Sequence, residues 1–320
     1  MIEPSIPLGS KENDYKTNKV RRLPNKYKLF LMAFPFIILT FVFSYLPLSG
    51  WLYSFYDFIP GIPLSKTPFV GFKWFKSIAS NPTQTGEVLR VMKNTIAMSS
   101  LGIVTSVLPV AFSILLSEIK TGWYKKAVQI LTTIPNFISW VLVYSVAFTL
   151  FSVDNGFVNT VLMKLGVIDQ GINFLASNRN VWIPMILWAM WKGLGWTAII
   201  YLAAIAGIDQ ELYEASEVDG AGRFRKMWHI TVPGILPTYF VLLLLSIANF
   251  VNNGMEQYFA FQNAINKNTI EVLDLYVYNV AFSANFSFAI AVSMLKSIVS
   301  IFLLFTANGI SKLVRGESIV

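Results

Sequence analysis

Six mostly apolar stretches recur along the chain, each near the ~20 residues a helix needs to cross a bilayer. They run from about Leu29 to Leu48, Thr95 to Leu116, Ile134 to Phe151, Val181 to Ala206, Ile235 to Val251, and Phe286 to Ala307. No polar segment between them is long enough for a second globular domain. The pattern predicts an all-α membrane protein with six transmembrane helices. Pro35, Pro47, Pro109, Pro135 and Pro184 lie within or at the ends of these spans. Proline removes a helix hydrogen bond and crowds the preceding turn. Broken helices are tolerated in lipid where they face protein or a wet cavity.

Composition sharpens this picture. Of 320 residues, 55% are hydrophobic and 13% charged, against roughly 25% charged in soluble domains. An ordinary soluble enzyme is excluded, as is disorder, which requires low hydrophobicity. With no cysteine and a single histidine, His229, disulfides, thiolate sites and histidine metal clusters are excluded too.

The net charge of +8 is explained by where the charges sit. Lys11, Lys16, Lys19, Arg21, Arg22, Lys26 and Lys28 precede the first span. Lys120, Lys125 and Lys126 follow the second, Arg223, Arg225 and Lys226 follow the fourth, and Lys312 and Arg315 follow the sixth. These are 15 of the 25 basic residues, all on one side, with 8 on the other. Basic loops stay in the cytoplasm, so both termini are predicted to be cytoplasmic. Orientation accounts for the charge, and no nucleic-acid partner is implied. The polar N-terminus is too hydrophilic for a cleavable signal and reads as a cytosolic tail over residues 1–28. The first span follows at 29–48, and an extracytoplasmic loop at 49–90.

The segment from Gly207 to Pro233 is the most informative. Asp209 is placed to cap a helix whose first turn holds Gln210 and Glu211. Leu212, Ala215 and Val218 share one face, with Glu211, Glu214 and Glu217 beside it. Gly220 and Gly222 are expected to end this helix. A second short helix is expected from about Arg223 to Ile230, with Phe224, Met227 and Trp228 as apolar contacts, and Pro233 starts the next span. Such a helix-turn-helix can dock into a partner's groove or lie on lipid headgroups.

The spacing decides between these. Glu214-Ala215-Ser216, three residues, Gly220, nine residues, Ile230, one residue, Val232-Pro233 resembles the EAA signature of ABC-importer permeases. Ser216 and Val232 replace the family's second Ala and its Leu. The resemblance continues in Tyr201–Tyr213 and Ile134–Trp140, which are similar to carbohydrate-importer permeases of the maltose type. Tyr45–Trp51, Trp191–Trp196 and Trp228–Pro237 look like the polysaccharide and alginate branch.

The resemblance implies a type I ABC-importer permease fold over residues 91–310, with a coupling loop at 207–233 and a cytosolic tail at 311–320. It implies a bacterial cell membrane location. The partners it implies are a second homologous permease subunit, two ATPase subunits, an extracellular or periplasmic solute-binding protein, a saccharide and the lipid bilayer. Glu214, Ala215, Ser216, Gly220, Ile230 and Pro233 would belong to the ATPase-coupling surface. The chain has no G-x-x-x-x-G-K-[ST] phosphate loop. No cofactor is therefore expected on this chain, and ATP and Mg are used by the partner ATPase. No catalytic or metal-ligating constellation is evident, so an enzyme is not expected. A permease for a non-sugar solute is the alternative, with an ion-coupled carrier behind it.

Ionisable residues inside a membrane are functional candidates. Lys192 in span four and Lys296 in span six are placed to meet sugar hydroxyls or an acidic sugar's carboxylate, or else to bond carbonyls inside the bundle. Trp140, Trp188, Trp191 and Trp196 offer ring faces for sugar stacking, or packing. Asn253, with Asn249, Asn252 and Glu256, clusters at the outer end of span five. The outer loops, including a helix expected near Glu271–Tyr278 and Lys66, Lys73 and Lys76, are candidate docking surfaces for the binding protein.

Overall fold

Among the described residues of the computed structural model, five helices are long and apolar enough to cross a membrane: Lys26–Phe55, Pro82–Ser117, Trp182–Ala206, Arg223–Ala248 and Phe286–Gly309. The structure describes residues 24–176, 178 and 181–315. A sixth crossing is reached by joining Gly122–Phe137 to Trp140–Phe151, a pair bent by 106°. Among the described residues the only extended pairing is an isolated antiparallel bridge between Tyr56 and Phe69. Lys11, Lys16, Lys19, Arg21 and Arg22 lie outside the described residues, as does the 316–320 half of the expected tail.

The chain divides into two units, Met1–Gly50 and Trp51–Val320. In the first, an α-helix from Asn25 to Thr40 passes into a π-helical turn, Phe41–Tyr45. Pro35 lies inside this helix. Leu29, Phe30, Met32, Phe36 and Phe43 are all exposed. A surface so apolar is stable against lipid and not against water.

In the second unit four of the spans differ from the sequence expectation. Span two begins at Pro82 rather than near Thr95. Asn81 caps it, its side chain accepting from the Thr83 N–H at 3.1 Å, and Pro82 occupies the first position, where its missing N–H costs nothing. Much of the expected outer loop is therefore helix, including the short Lys73–Ser80. The span breaks at Ser106, before Pro109. There Thr105 donates to the Leu101 carbonyl at 2.8 Å and Ser106 to that of Ile103 at 2.7 Å.

Span three is broken, not continuous from Ile134 to Phe151. Its first part, Gly122–Thr133, ends in a 3-10 turn, Ile134–Phe137, and its second part is Trp140–Phe151. Ser139 restarts the helix, accepting from the Leu142 N–H. Span five begins at Arg223, so the short helix expected before Pro233 is its first turns, joined through a π-helical stretch at Met227–Thr231. Span six continues to Arg315, beyond the expected Ala307. Span four, Trp182–Ala206, agrees with expectation.

The core lies where the broken span meets the segment between spans five and six. Val143, Ala147, Met185, Phe261, Val272 and Leu275 pack there. A second cluster joins Val91, Leu273, Tyr276, Phe288 and Val292. The stretch expected to present Glu271–Tyr278 outward is thus largely interior. Its helix is Leu273–Phe282, and Glu271 is 2% exposed. The Glu271 carboxylate takes Arg90 Nη2 at 2.7 Å and Asn279 Nδ2 at 2.7 Å, while Arg90 Nη1 donates to the Asn268 carbonyl at 3.1 Å. Asn94 donates to the Glu271 carbonyl at 2.9 Å. A buried carboxylate costs several kcal/mol unless paired and bonded in this way.

Glu271→Ala or Arg90→Ala alone is expected to destabilise the protein by about 2–3 kcal/mol, below fully buried values because Arg90 is 28% exposed. The double variant should lose little more than either single one. Denaturant unfolding in detergent micelles measures this, and strictly additive losses would show that the two side chains do not act as a pair.

Candidate functional site

The segment 207–233 folds as a small rigid unit. Asp209 caps the helix Gln210–Val218, its carboxylate accepting from the Glu211 N–H at 3.0 Å. The other end closes in a Schellman turn: Gly220 N–H donates to the Glu217 carbonyl at 3.0 Å and Ala221 N–H to that of Ser216 at 2.9 Å. Gly220 has φ +72°, a left-handed conformation that side chains resist. Gly222, expected to share in ending this helix, instead precedes the next one with an ordinary negative φ.

The unit is folded against the start of span five. Tyr213 Oη and Thr231 Oγ1 share a hydrogen bond of 2.9 Å, and Ser216 Oγ donates to the Tyr213 carbonyl at 2.7 Å. Lys226 Nζ lies 2.6 Å from the Glu217 carboxylate, and this ammonium holds the Glu217 carboxyl below the ordinary carboxylate range. Glu214, Ala215 and Pro233 are exposed, while Ile230 is half-buried. Around Glu214 and Ala215, Leu212, Val218, Phe224 and Trp228 are between 53% and 89% exposed. The result is an apolar surface on a pre-formed scaffold.

The membrane candidates fall into separate places. Lys192 Nζ donates to the carbonyls of Pro135 at 3.2 Å, Asn136 at 2.7 Å and Ile138 at 2.6 Å. It also lies 5.5 Å from the centre of the Trp140 ring. Lys296 is ion-paired to Asp274, whose other oxygen accepts from the Gly254 N–H at 2.9 Å. Both lysines therefore have partners in the fold. Asn253 Nδ2 donates to Ser99 Oγ at 2.9 Å, and Ser99 donates to the Phe250 carbonyl, which ties the exit of span five to span two. Trp188 packs edge-on against Trp191 at 5.7 Å. These two rings line an apolar cavity of about 410 Å³ with Phe151, Phe174 and Leu187. Trp196 stands apart, 48% exposed and edge-on to Phe137.

A groove that sequence reasoning missed lies between spans two, four and five. It has a volume of about 250 Å³ and carries Thr105, Ser106, Thr197, Tyr201, Tyr239 and Ser246 on otherwise apolar walls, with Gly102 and Gly193 leaving room. Tyr239 Oη and Ser106 Oγ lie 3.3 Å apart across it. The signal in the sequence was the recurrence of hydroxyl residues within spans, which charge and tryptophan had overshadowed.

Comparison with known proteins follows from this geometry. Residues 109–312 match the family described as binding-protein-dependent transport system inner membrane component. Over 311 residues the chain is 36% identical to the polygalacturonan/rhamnogalacturonan transport system permease protein YteP of Bacillus subtilis (strain 168), covering 97% of this chain and 95% of that one. A chain in the crystal structure of a bacterial ABC transporter involved in the import of the acidic polysaccharide alginate superposes with a TM-score of 0.80 at 29% identity, over 91% of this chain and 97% of that one. A bacterial alginate ABC transporter in complex with an alginate pentasaccharide-bound periplasmic protein gives 0.81 at 28% identity, over 92% and 97%.

The Glu217–Lys226 pair gives a pH prediction. A carboxyl held below its usual range keeps its partner at neutral pH and releases it as pH falls through that lowered value. Amide exchange in 210–218, corrected for its intrinsic rate, should therefore be slow at neutral pH and quicken in acid. Glu217→Gln should be fast at both, and no difference from the native chain at neutral pH would show the pair to be idle. Gly220→Ala should loosen the same turn by about 1–2 kcal/mol, read as faster exchange at Gly220 and Ala221 positions.

Proposed function

We propose, on the premise that the chain belongs to the family of binding-protein-dependent transport system inner membrane components, that it is the permease subunit of an ATP-driven importer for an acidic oligo- or polysaccharide. The observation that carries this is the segment 207–233. It joins a capped, pre-folded helix to an exposed apolar face in a chain that is otherwise membrane-embedded. Such a face in water needs a partner to cover it.

In this reading both termini are cytoplasmic, as the distribution of basic residues supports, and the membrane is a bacterial cell membrane. The chain hydrolyses nothing. Two ATPase subunits using ATP and Mg serve the complex, and one of them docks against Glu214, Ala215, Ser216 and Gly220 of this chain, with Ile230 and Pro233 fixing the unit to span five. A second, homologous permease completes the pathway, and a solute-binding protein delivers the sugar from outside. Closure of the ATPases moves the helix Gln210–Val218, and the spans switch the pathway between its two sides as rigid bodies.

The saccharide class is supported by similarity to permeases whose names carry polygalacturonan and alginate. Within the chain, the groove bearing Tyr201, Tyr239 and Ser246 supplies hydroxyls for sugar contact. Trp191 and Trp196 are exposed enough to take a sugar's C–H face. Trp188, Trp140 and Asn253 support the walls around them, and Lys192 and Lys296 shape the pathway through the partners they hold.

The test is reconstitution. Glu214→Ala and Gly220→Pro should leave the protein inserted in membranes and abolish ATP-dependent uptake. Uptake at the native rate by both would remove the coupling assignment. Proteoliposomes with the co-purified ATPase and binding protein should accumulate a uronate oligosaccharide in preference to a neutral one of equal length. The reverse preference would overturn the substrate class.

A further inference from the structure

The two sequence segments Ile134–Trp140 and Trp191–Trp196 meet in the structure, and the function above uses neither fully. Their meeting point is the break in span three. A 106° bend within an apolar bundle leaves carbonyls without helical donors, and each unsatisfied one costs several kcal/mol. Lys192 supplies donors there, a second one for the Pro135 carbonyl, which also accepts from the Ile138 N–H at 3.2 Å. Its ammonium has three N–H groups, and three carbonyls, those of Pro135, Asn136 and Ile138, receive them. These carbonyls cluster where the first half of the span ends, where a helix favours positive charge. No carboxylate pairs with Lys192 among the described residues. Its charge is held by backbone dipoles and by the Trp140 ring.

One ammonium thus touches both halves of the span. The carbonyls belong to the end of the first half and the turn after it, and Trp140 is the first residue of the second half. Span four is pressed against the break from the same side. A Cβ at Gly195 would meet the Thr132 carbonyl far inside van der Waals contact. The two halves lead to different places. On the cytoplasmic side Lys125 and Gln129, from the first half, line one groove with Gln210 and Tyr213 of the coupling unit. The second half buries Val143 and Ala147 in the core with Phe261, Val272 and Leu275.

We propose that Lys192 is a positioning residue of the transport cycle: its ammonium locks the broken span into one rigid elbow, so that displacement at the coupling unit reaches the outer core instead of being absorbed at the bend. This rests on the permease reading for its consequence, although the elbow itself does not.

The native chain has no cysteine, so spin labels can be placed at Lys126→Cys and Phe148→Cys, on exposed positions of the two halves, in the full transporter in nanodiscs. The native lysine should give one narrow distance distribution, and Lys192→Met a broad one. In the same preparation Lys192→Met should retain ATP hydrolysis and lose transport by about tenfold or more, the scale set by hydrogen bonds to a charged group. Lys192→Ala leaves a gap the size of propylammonium. Millimolar propylammonium should narrow its distances and restore part of its transport, and propanol should do neither. A narrow distribution in Lys192→Met, with only a raised KM for the sugar, would overturn the proposal and make Lys192 a substrate contact. Should Lys192→Met fail to insert, the distances in Lys192→Ala with and without propylammonium decide the matter, and an unchanged broad distribution refutes the clamp. A narrow native and a broad Lys192→Met distribution, in a complex whose native form imports no saccharide, would leave the elbow standing and refute the permease reading instead.

Discussion

Inside a bilayer, a backbone carbonyl released from its helix must find another donor within the protein. That requirement is met at three irregular points of this bundle. At the break in span two, Thr105 and Ser106 turn their hydroxyls back onto the preceding turn. At the exit of span five, Ser99 donates to the freed Phe250 carbonyl and is held in turn by Asn253. At the sharpest break, in span three, Thr132 and Thr133 bond the turn before it, and a lysine from another helix reaches the carbonyls of the break itself. The donor is local at the break in span two and comes from another helix at the exit of span five and at the bend in span three. Bends of this kind are therefore tertiary features, and their geometry is fixed only when the neighbouring span is in place.

The same constraint explains what was legible in the sequence. Hydropathy located six apolar segments because composition alone sets which stretches tolerate lipid. The caps at Asp209 and Gly220 were legible because capping is local: the residues that satisfy the helix ends lie next to them. The break at Ile134–Ser139 was not, although Pro135 marked it, because proline kinks some helices and ends others, and the donor that stabilises this break is 50-odd residues away, on the order of a whole span and its connections. The early start of span two escaped notice because Glu87, Arg90 and Lys93 look like loop residues to hydropathy. Their partners, Tyr276 for Glu87 and Glu271 for Arg90, come from the far end of the chain.

Charge shows the same division. Lys192 and Lys296 are expensive inside a membrane, and the sequence offers a sugar or the bundle's own carbonyls to offset the expense without choosing between them. In the structure the partner is in one case a set of carbonyls and a ring, in the other an aspartate on the segment before span six. Neither partner could be anticipated from helix periodicity, which reports which face a residue occupies but not what opposes it. The hydroxyl-bearing groove was missed for the converse reason. Threonine, serine and tyrosine cost little in a span, so no single one of them stands out until spans two, four and five bring them together.

Two kinds of exposed apolar surface remain on the described chain, and they require different solvents. That of the Asn25–Thr40 helix lies within a span and is apolar from Leu29 to Leu39, so lipid satisfies it. That of Leu212, Val218, Phe224 and Trp228 is interleaved with Glu211, Glu214, Arg223 and Arg225. Lipid tails would strand those charges, and water would leave the apolar side chains bare. A protein groove with an apolar floor and a polar rim meets both demands at once, as interfaces between proteins do. In the proposed reading the capping of the helix keeps that surface pre-formed for a protein partner, which lowers the ordering cost of docking.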